Sequence, residues 1–87
     1  MKKFEAVIEN DITFLFKYDK DSPDLLHIYV RHLTTIDNAL NVYFSTDALW
    51  NPKNKRYENY SDKHGIYWFW LNEEDKKVII ITCFNLL

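Results

Sequence analysis

The chain has 87 residues, 47% of them hydrophobic and 17% aromatic, with a formal net charge of −2. That length supports a single domain, residues 1–87, and the composition excludes low-complexity disorder, because aromatic side chains burying roughly 150–250 Å² each supply a core that a short chain otherwise lacks. The slightly acidic balance also excludes a global positive field of the kind that drives nonspecific nucleic-acid binding, so any RNA contact has to be local.

Residues 4–9 and 12–18 alternate apolar and polar side chains around Asn10-Asp11, which predicts a β-hairpin. The polar cluster 19–24 reads as a turn, with Ser22 and Pro23 serving as N-cap and first position of a helix that begins near Asp24. Leu25, Tyr29 and Leu33 recur at helical spacing. Thr34-Thr-Ile-Asp37 fits a capping box that starts a second helix carrying Ile36, Ala39, Leu40, Tyr43 and Phe44. Residues 45–54 read as a loop, and 56–60, 65–71 and 76–84 as three antiparallel strands. The expected fold is therefore α+β, ββααβββ, with an antiparallel sheet and a short helix pair packed on one face.

This sheet is apolar on both sides. Trp68 and Trp70 point opposite to Tyr67 and Phe69, and Val78-Ile-Ile-Ile has no polar alternation. One helix pair covers one face, so the other is covered either by the N-terminal hairpin folding across it or by a partner, including a second copy of the chain.

His27 and Arg31 are four residues apart and share a helix face, with His32 about 100° further round. Imidazole and guanidinium together suit RNA cleavage, which needs a base for the 2′-hydroxyl, an acid for the leaving oxygen and a cation for the charged phosphorane. The plain structural alternative is a histidine bonded to backbone and an arginine paired with a carboxylate. Lys53, Lys55 and Arg56 form the one basic cluster, and with Tyr57 they are candidates for phosphate contact and base stacking. A solvated loop is the competing reading. Trp68 and Trp70 are candidates for binding a partner.

The pattern His27-x-x-x-Arg31-His32-x-Thr-x-x-Asp37, followed by an aromatic strand and a strand ending Ile-Thr82-Cys-Phe84, resembles the phage- and toxin-associated branch of the RelE/BrnT/barnase/colicin-like small ribonucleases. The likeness spans about residues 25–84. It implies a metal-independent endoribonuclease that cleaves mRNA or tRNA, with His27, Arg31, His32 and Thr82 facing the RNA and an antitoxin partner holding it in check. The chain departs from that pattern in the sparse Lys and Arg of its sheet and in the extra hairpin. The acidic balance and the shortage of sheet cations favour a second expectation, a non-enzymatic phage or bacterial inhibitor or immunity protein that docks a partner on its aromatic sheet.

Other chemistries find no support. The single Cys83 forms no intrachain disulfide, which points to a reducing, cytoplasmic setting, and no run approaches the roughly 20 apolar residues of a membrane-spanning helix. The three His and one Cys show no metal-ligand spacing. One Gly makes no phosphate loop, so no cofactor is implied. Ser22, Ser45 and Ser61 sit in turn-like segments without a nucleophile elbow, and a second helix bearing Asp37, Asn38 and Asn41 is unsuited to reading a DNA groove.

Overall fold

The computed structural model describes residues 3–86 as an α+β fold in which one six-stranded mixed sheet carries two helices. In chain order the elements are β1 (Phe4–Glu9), β2 (Ile12–Lys17), α1 (His27–His32), α2 (Ile36–Ser45), β3 (Leu49–Asn51), β4 (Arg56–Tyr60), β5 (His64–Asn72) and β6 (Lys77–Asn85). The strand order across the sheet is β1-β2-β6-β5-β4-β3.

Asn10 and Asp11 both have positive φ, 52° and 65°, so the first hairpin closes through a two-residue turn whose twist matches that of its strands. The hairpin then joins the sheet at its edge. Strand β2 pairs in parallel with β6, Thr13 opposite Lys77 and Phe16 opposite Ile80, and this corrects the wholly antiparallel sheet expected from sequence. Alternation within a strand specifies which side chains share a face, but it carries no information about the direction of a neighbour 60 residues away.

Two local expectations also shift. Helix α1 begins at His27, and its N-cap, Leu26, makes no side-chain cap bond. The Asp19 carboxylate explains the delay: it accepts from the backbone N–H of Asp21 and of Ser22, at 3.0 and 3.1 Å, and so holds this segment in a turn. The capping box lies one residue later than expected, with Thr35 Oγ1 accepting from Asn38 N–H and Asn38 Oδ1 from Thr35 N–H. Thr34 is instead fully buried, and its hydroxyl faces the carbonyls of Ile28 and Cys83, which ties the helix elbow to β6.

The stretch expected to be all loop contains β3. Trp50 packs on Tyr57 with ring centroids 4.9 Å apart, and Asn51 turns the chain by accepting from the N–H groups of Lys53 and Asn54. Both features favour an extended segment beside β4 over a free loop.

The core lies on one side of the sheet. Phe14, Phe16, Ile66, Trp68, Val78, Ile80 and Cys83 point toward Ile28 of α1 and Ala39, Leu40 and Val42 of α2. Cross-strand pairs keep this face consistent: Phe14 stands opposite Val78, Phe16 opposite Ile80, and Ile66 opposite Cys83. Two bulges interrupt the β5–β6 pairing, near Ile81 and Leu71, and the same faces resume beyond them.

Candidate functional site

The helix-borne candidates converge on a residue that sequence reasoning passed over. Asp19 is 2% exposed, and its Oδ1 accepts from Arg31 Nε at 2.9 Å. Arg31 Nη2 donates to Asp21 Oδ2 at 2.6 Å, and His27 Nδ1 lies 3.8 Å from Asp19 Oδ1. Burial pushes the Asp19 carboxyl upward, but the Arg31 guanidinium and the two backbone N–H groups outweigh it, so the group stays below the ordinary carboxylate range. For His27 the balance runs toward the neutral imidazole: burial, then the Lys17 and His32 charges, hold it below 6.5 against the opposing pull of Asp19. The sequence signal for Asp19 was an Asp-x-Asp-Ser run directly after a strand, and only its turn character was legible.

His32 stands beside His27, with ring centroids 5.7 Å apart, and approaches Phe84 at 6.5 Å. Lys17, Lys20 and Asp21 complete the polar concavity that Asp19, His27 and Arg31 line. Thr82 belongs elsewhere. It stands opposite Tyr67, one residue from core-facing Cys83, so the pleat turns its side chain to the face away from the helices. Its hydroxyl oxygen is buried there without a hydrogen-bond partner among the described residues. The structure thus brings His27, Arg31 and His32 together and leaves Thr82 on the other side of the sheet.

The basic cluster divides in the same way. Arg56 pairs with Glu58 at 3.0 Å and lies over the Tyr67 ring at 3.6 Å, on the face away from the helices. Tyr57 points to the helix side, where it stacks on Trp68 at 4.6 Å. Lys53 and Lys55 are exposed in the β3–β4 turn. Adjacent strand residues point to opposite faces, so Arg56 and Tyr57 cannot offer phosphate contact and base stacking on one surface.

Trp68 is 4% exposed and donates its indole N–H to Asn59 Oδ1 at 2.8 Å. It is a core residue, and that corrects its placement on a partner-binding surface; Trp70 packs half-buried against the same core. The helices approached the tryptophan face of the sheet, whereas alternation alone did not say which of two apolar faces they would choose.

The face they left is the most unusual feature of the molecule. Ala6, Leu15, Ile79, Phe69 and Tyr67 cross it from β1 to β5, with Phe4, Ile8, Phe84 and Tyr60 around them. None of these side chains joins the core, and Ile8 is 73% exposed. Among the described residues no element packs over this face, because the N-terminal hairpin extends the sheet sideways. Among the described residues, the charged side chains on it are Lys77 near a strand end and, on β4, Arg56 with Glu58, which neutralise each other although the guanidinium lies over the Tyr67 ring; Lys17, at the end of β2, lines the concavity on the helix side.

Among the described residues no three His, Cys, Asp or Glu side chains group as metal ligands, and no helix is long and apolar enough to cross a membrane. Comparison with family models, curated proteins and solved structures returned no match.

Proposed function

We propose that this protein is a non-enzymatic binding module that docks a protein partner on the apolar sheet face opposite its helices. The observation that carries the reading is that uncovered face. A two-layer fold of this size buries one side of its sheet, and a contiguous apolar surface spanning several strands is the mark of an interaction site. Tyr67, Phe69, Phe84 and Tyr60 supply the aromatic anchors typical of interface centres, and the mutual neutralisation of Arg56 and Glu58 leaves no unpaired charge among them. An inhibitor or immunity protein of phage or bacterial origin fits this description.

One observation favours the toxin-type ribonuclease as a second reading: His27, held below the ordinary imidazole range by burial, stands beside His32 and lines a polar concavity with Arg31. Against it, Arg31 is engaged by two carboxylates, and a phosphate would have to displace them to be held.

The two readings separate in one experiment with tagged wild type, Phe69→Lys and His27→Ala. The docking reading expects partners retained by the wild type and His27→Ala to be lost by Phe69→Lys, with total RNA intact throughout. RNA fragmentation by the wild type that disappears in His27→Ala reverses the assignment.

A further inference from the structure

The helix pair is centred on β2, β6 and β5, so the β3 end of the face it packs on stays open. An aromatic row crosses from the core to that open end. Trp70 stands edge-on to buried Trp68 at 5.4 Å, Tyr57 stacks on Trp68 at 4.6 Å, and Trp50 leans on Tyr57 at 4.9 Å, all between ring centroids. Trp50, at the outer end, is 52% exposed. Where β5 runs on past the start of β4, Trp50, Lys55, Tyr57, Phe69 and Trp70 line a cleft of about 310 Å³, at the small end of the range for ligand pockets. Packing at the buried end of the row fixes the rings before a ligand arrives, so little ordering entropy is lost on binding.

The turn that carries Lys55 is held as firmly. Asn51 Oδ1 accepts from the N–H groups of Lys53 and Asn54, each at 3.1 Å, and Asn51 Nδ2 donates to Glu58 Oε2 at 2.8 Å. Arg56 and Tyr60 donate to the same Glu58 carboxylate on the opposite face, so it is taken up away from the cleft. Among the described residues neither Lys53 nor Lys55 pairs with a carboxylate.

This lining selects its ligand by chemistry. It offers aromatic faces and a cation without a carboxylate, so an organic cation is repelled by Lys55. A neutral sugar is held through its hydroxyl groups, and no Asp, Glu, Asn or Gln side chain lines the cleft to accept from them. What remains is a planar ring that carries negative charge. A base stacks on an indole or phenol face whatever its sequence, and a lysine beside it meets the phosphate. A duplex is excluded because its bases are already stacked on one another.

We infer that the cleft binds a nucleotide, the base seated among Trp50, Tyr57 and Trp70 and the phosphate met by Lys55, with Lys53 on the same turn. A free mononucleotide and one unit of a single strand share this chemistry. The site goes beyond the docking reading and touches the docking face only at Phe69, which borders both. It also supplies what Arg56 and Tyr57 cannot supply together, because Lys55 lines the same cleft as Tyr57.

Titration of the full chain with adenosine monophosphate, adenosine, ribose 5-phosphate and a single-stranded oligoadenylate, followed by heteronuclear NMR, tests this. The monophosphate should give saturable shifts, largest at the Trp50 and Trp70 indoles and at the Lys55 amide. Adenosine should bind more weakly, and ribose 5-phosphate should give no saturable shift. Trp50→Ala and Lys55→Gln alter exposed positions, and each variant is checked by its thermal transition. Trp50→Ala should weaken binding of the monophosphate about tenfold or more. Lys55→Gln should remove much of the advantage of the monophosphate over adenosine, and it keeps the test alive if Trp50→Ala fails to fold. Tighter binding of the oligoadenylate than of the monophosphate assigns the site to a single strand, and equal binding assigns it to a free nucleotide; either upholds the inference. No saturable shift from any of the four probes overturns it. So do shifts centred on His27 and His32, equal binding of adenosine and its monophosphate, or an affinity that neither variant changes.

Discussion

Arg31 closes on Asp19 across the β2–α1 connection, its Nε 2.9 Å from a carboxylate that is itself almost wholly out of solvent. This contact makes the histidine–arginine pair, legible in the sequence as potential chemistry, part of the scaffold. Arg31→Ala and Asp19→Asn are both expected to lower the melting temperature, by about 5–10 °C for a domain of this size. Asp19→Asn should be the more damaging, because the carboxylate also holds the amides of Asp21 and Ser22. Circular dichroism melts check this, and a melting temperature unchanged in both variants would return Arg31 to a purely functional role.

Stability should depend on pH in two separate windows. The folded state holds His27 below 6.5, so the unfolded chain binds the extra proton first, and stability falls as pH drops from about neutral through the lowered folded value. Asp19 has a folded value below 3.8, so its contribution persists at pH values above 3.8 and disappears only as pH falls further. Melting temperature measured against pH should show both declines in the wild type, and His27→Gln should lack the first.

Asn59 is 2% exposed and gives Trp68 its hydrogen-bond acceptor, while its own Nδ2 reaches the Thr46 carbonyl at 3.3 Å. Asn59→Leu strands the indole N–H in the core, and the expected cost is about 1–3 kcal/mol. Urea unfolding measures it, with the near-ultraviolet signal of Trp68 reporting whether the ring stays seated. Thr34→Val, which removes the hydroxyl between Ile28 and Cys83, should cost about 1–2 kcal/mol by the same method.

Ile79 and Ile80 are adjacent and point to opposite faces of β6. Ile80→Lys buries a charge in the core and should cost at least about 3 kcal/mol or abolish folding. Ile79→Lys should stay within about 1 kcal/mol of the wild type. Equal losses at the two positions would mean that both faces are covered within one chain.

Much of the fold was legible because it is written in local patterns. The hairpin around Asn10-Asp11, the helix pair and the three C-terminal strands all lie within a few residues of their expected positions, since alternation, turn residues and helical spacing are short-range signals. What escaped was long-range. The parallel β2–β6 pairing joins segments more than 60 residues apart, and the choice of helix-covered face depends on packing that Tyr67-Trp68-Phe69-Trp70 leaves symmetric. The candidate residues divided for the same reason. His27, Arg31 and His32 are neighbours on one helix and stayed together, whereas Thr82 was assigned by resemblance and its strand turns it away. Asp19 was invisible as a partner because only the folded loop carries it to Arg31.

The docking face itself can be probed in the cell that produces the protein, with a photoactivatable crosslinking residue placed at Phe69 in one variant and at Leu33 in another. The account predicts a crosslinked protein adduct from position 69, whether to a second copy or to another chain, and none from position 33. An adduct from position 33 alone, or none from position 69, would contradict it.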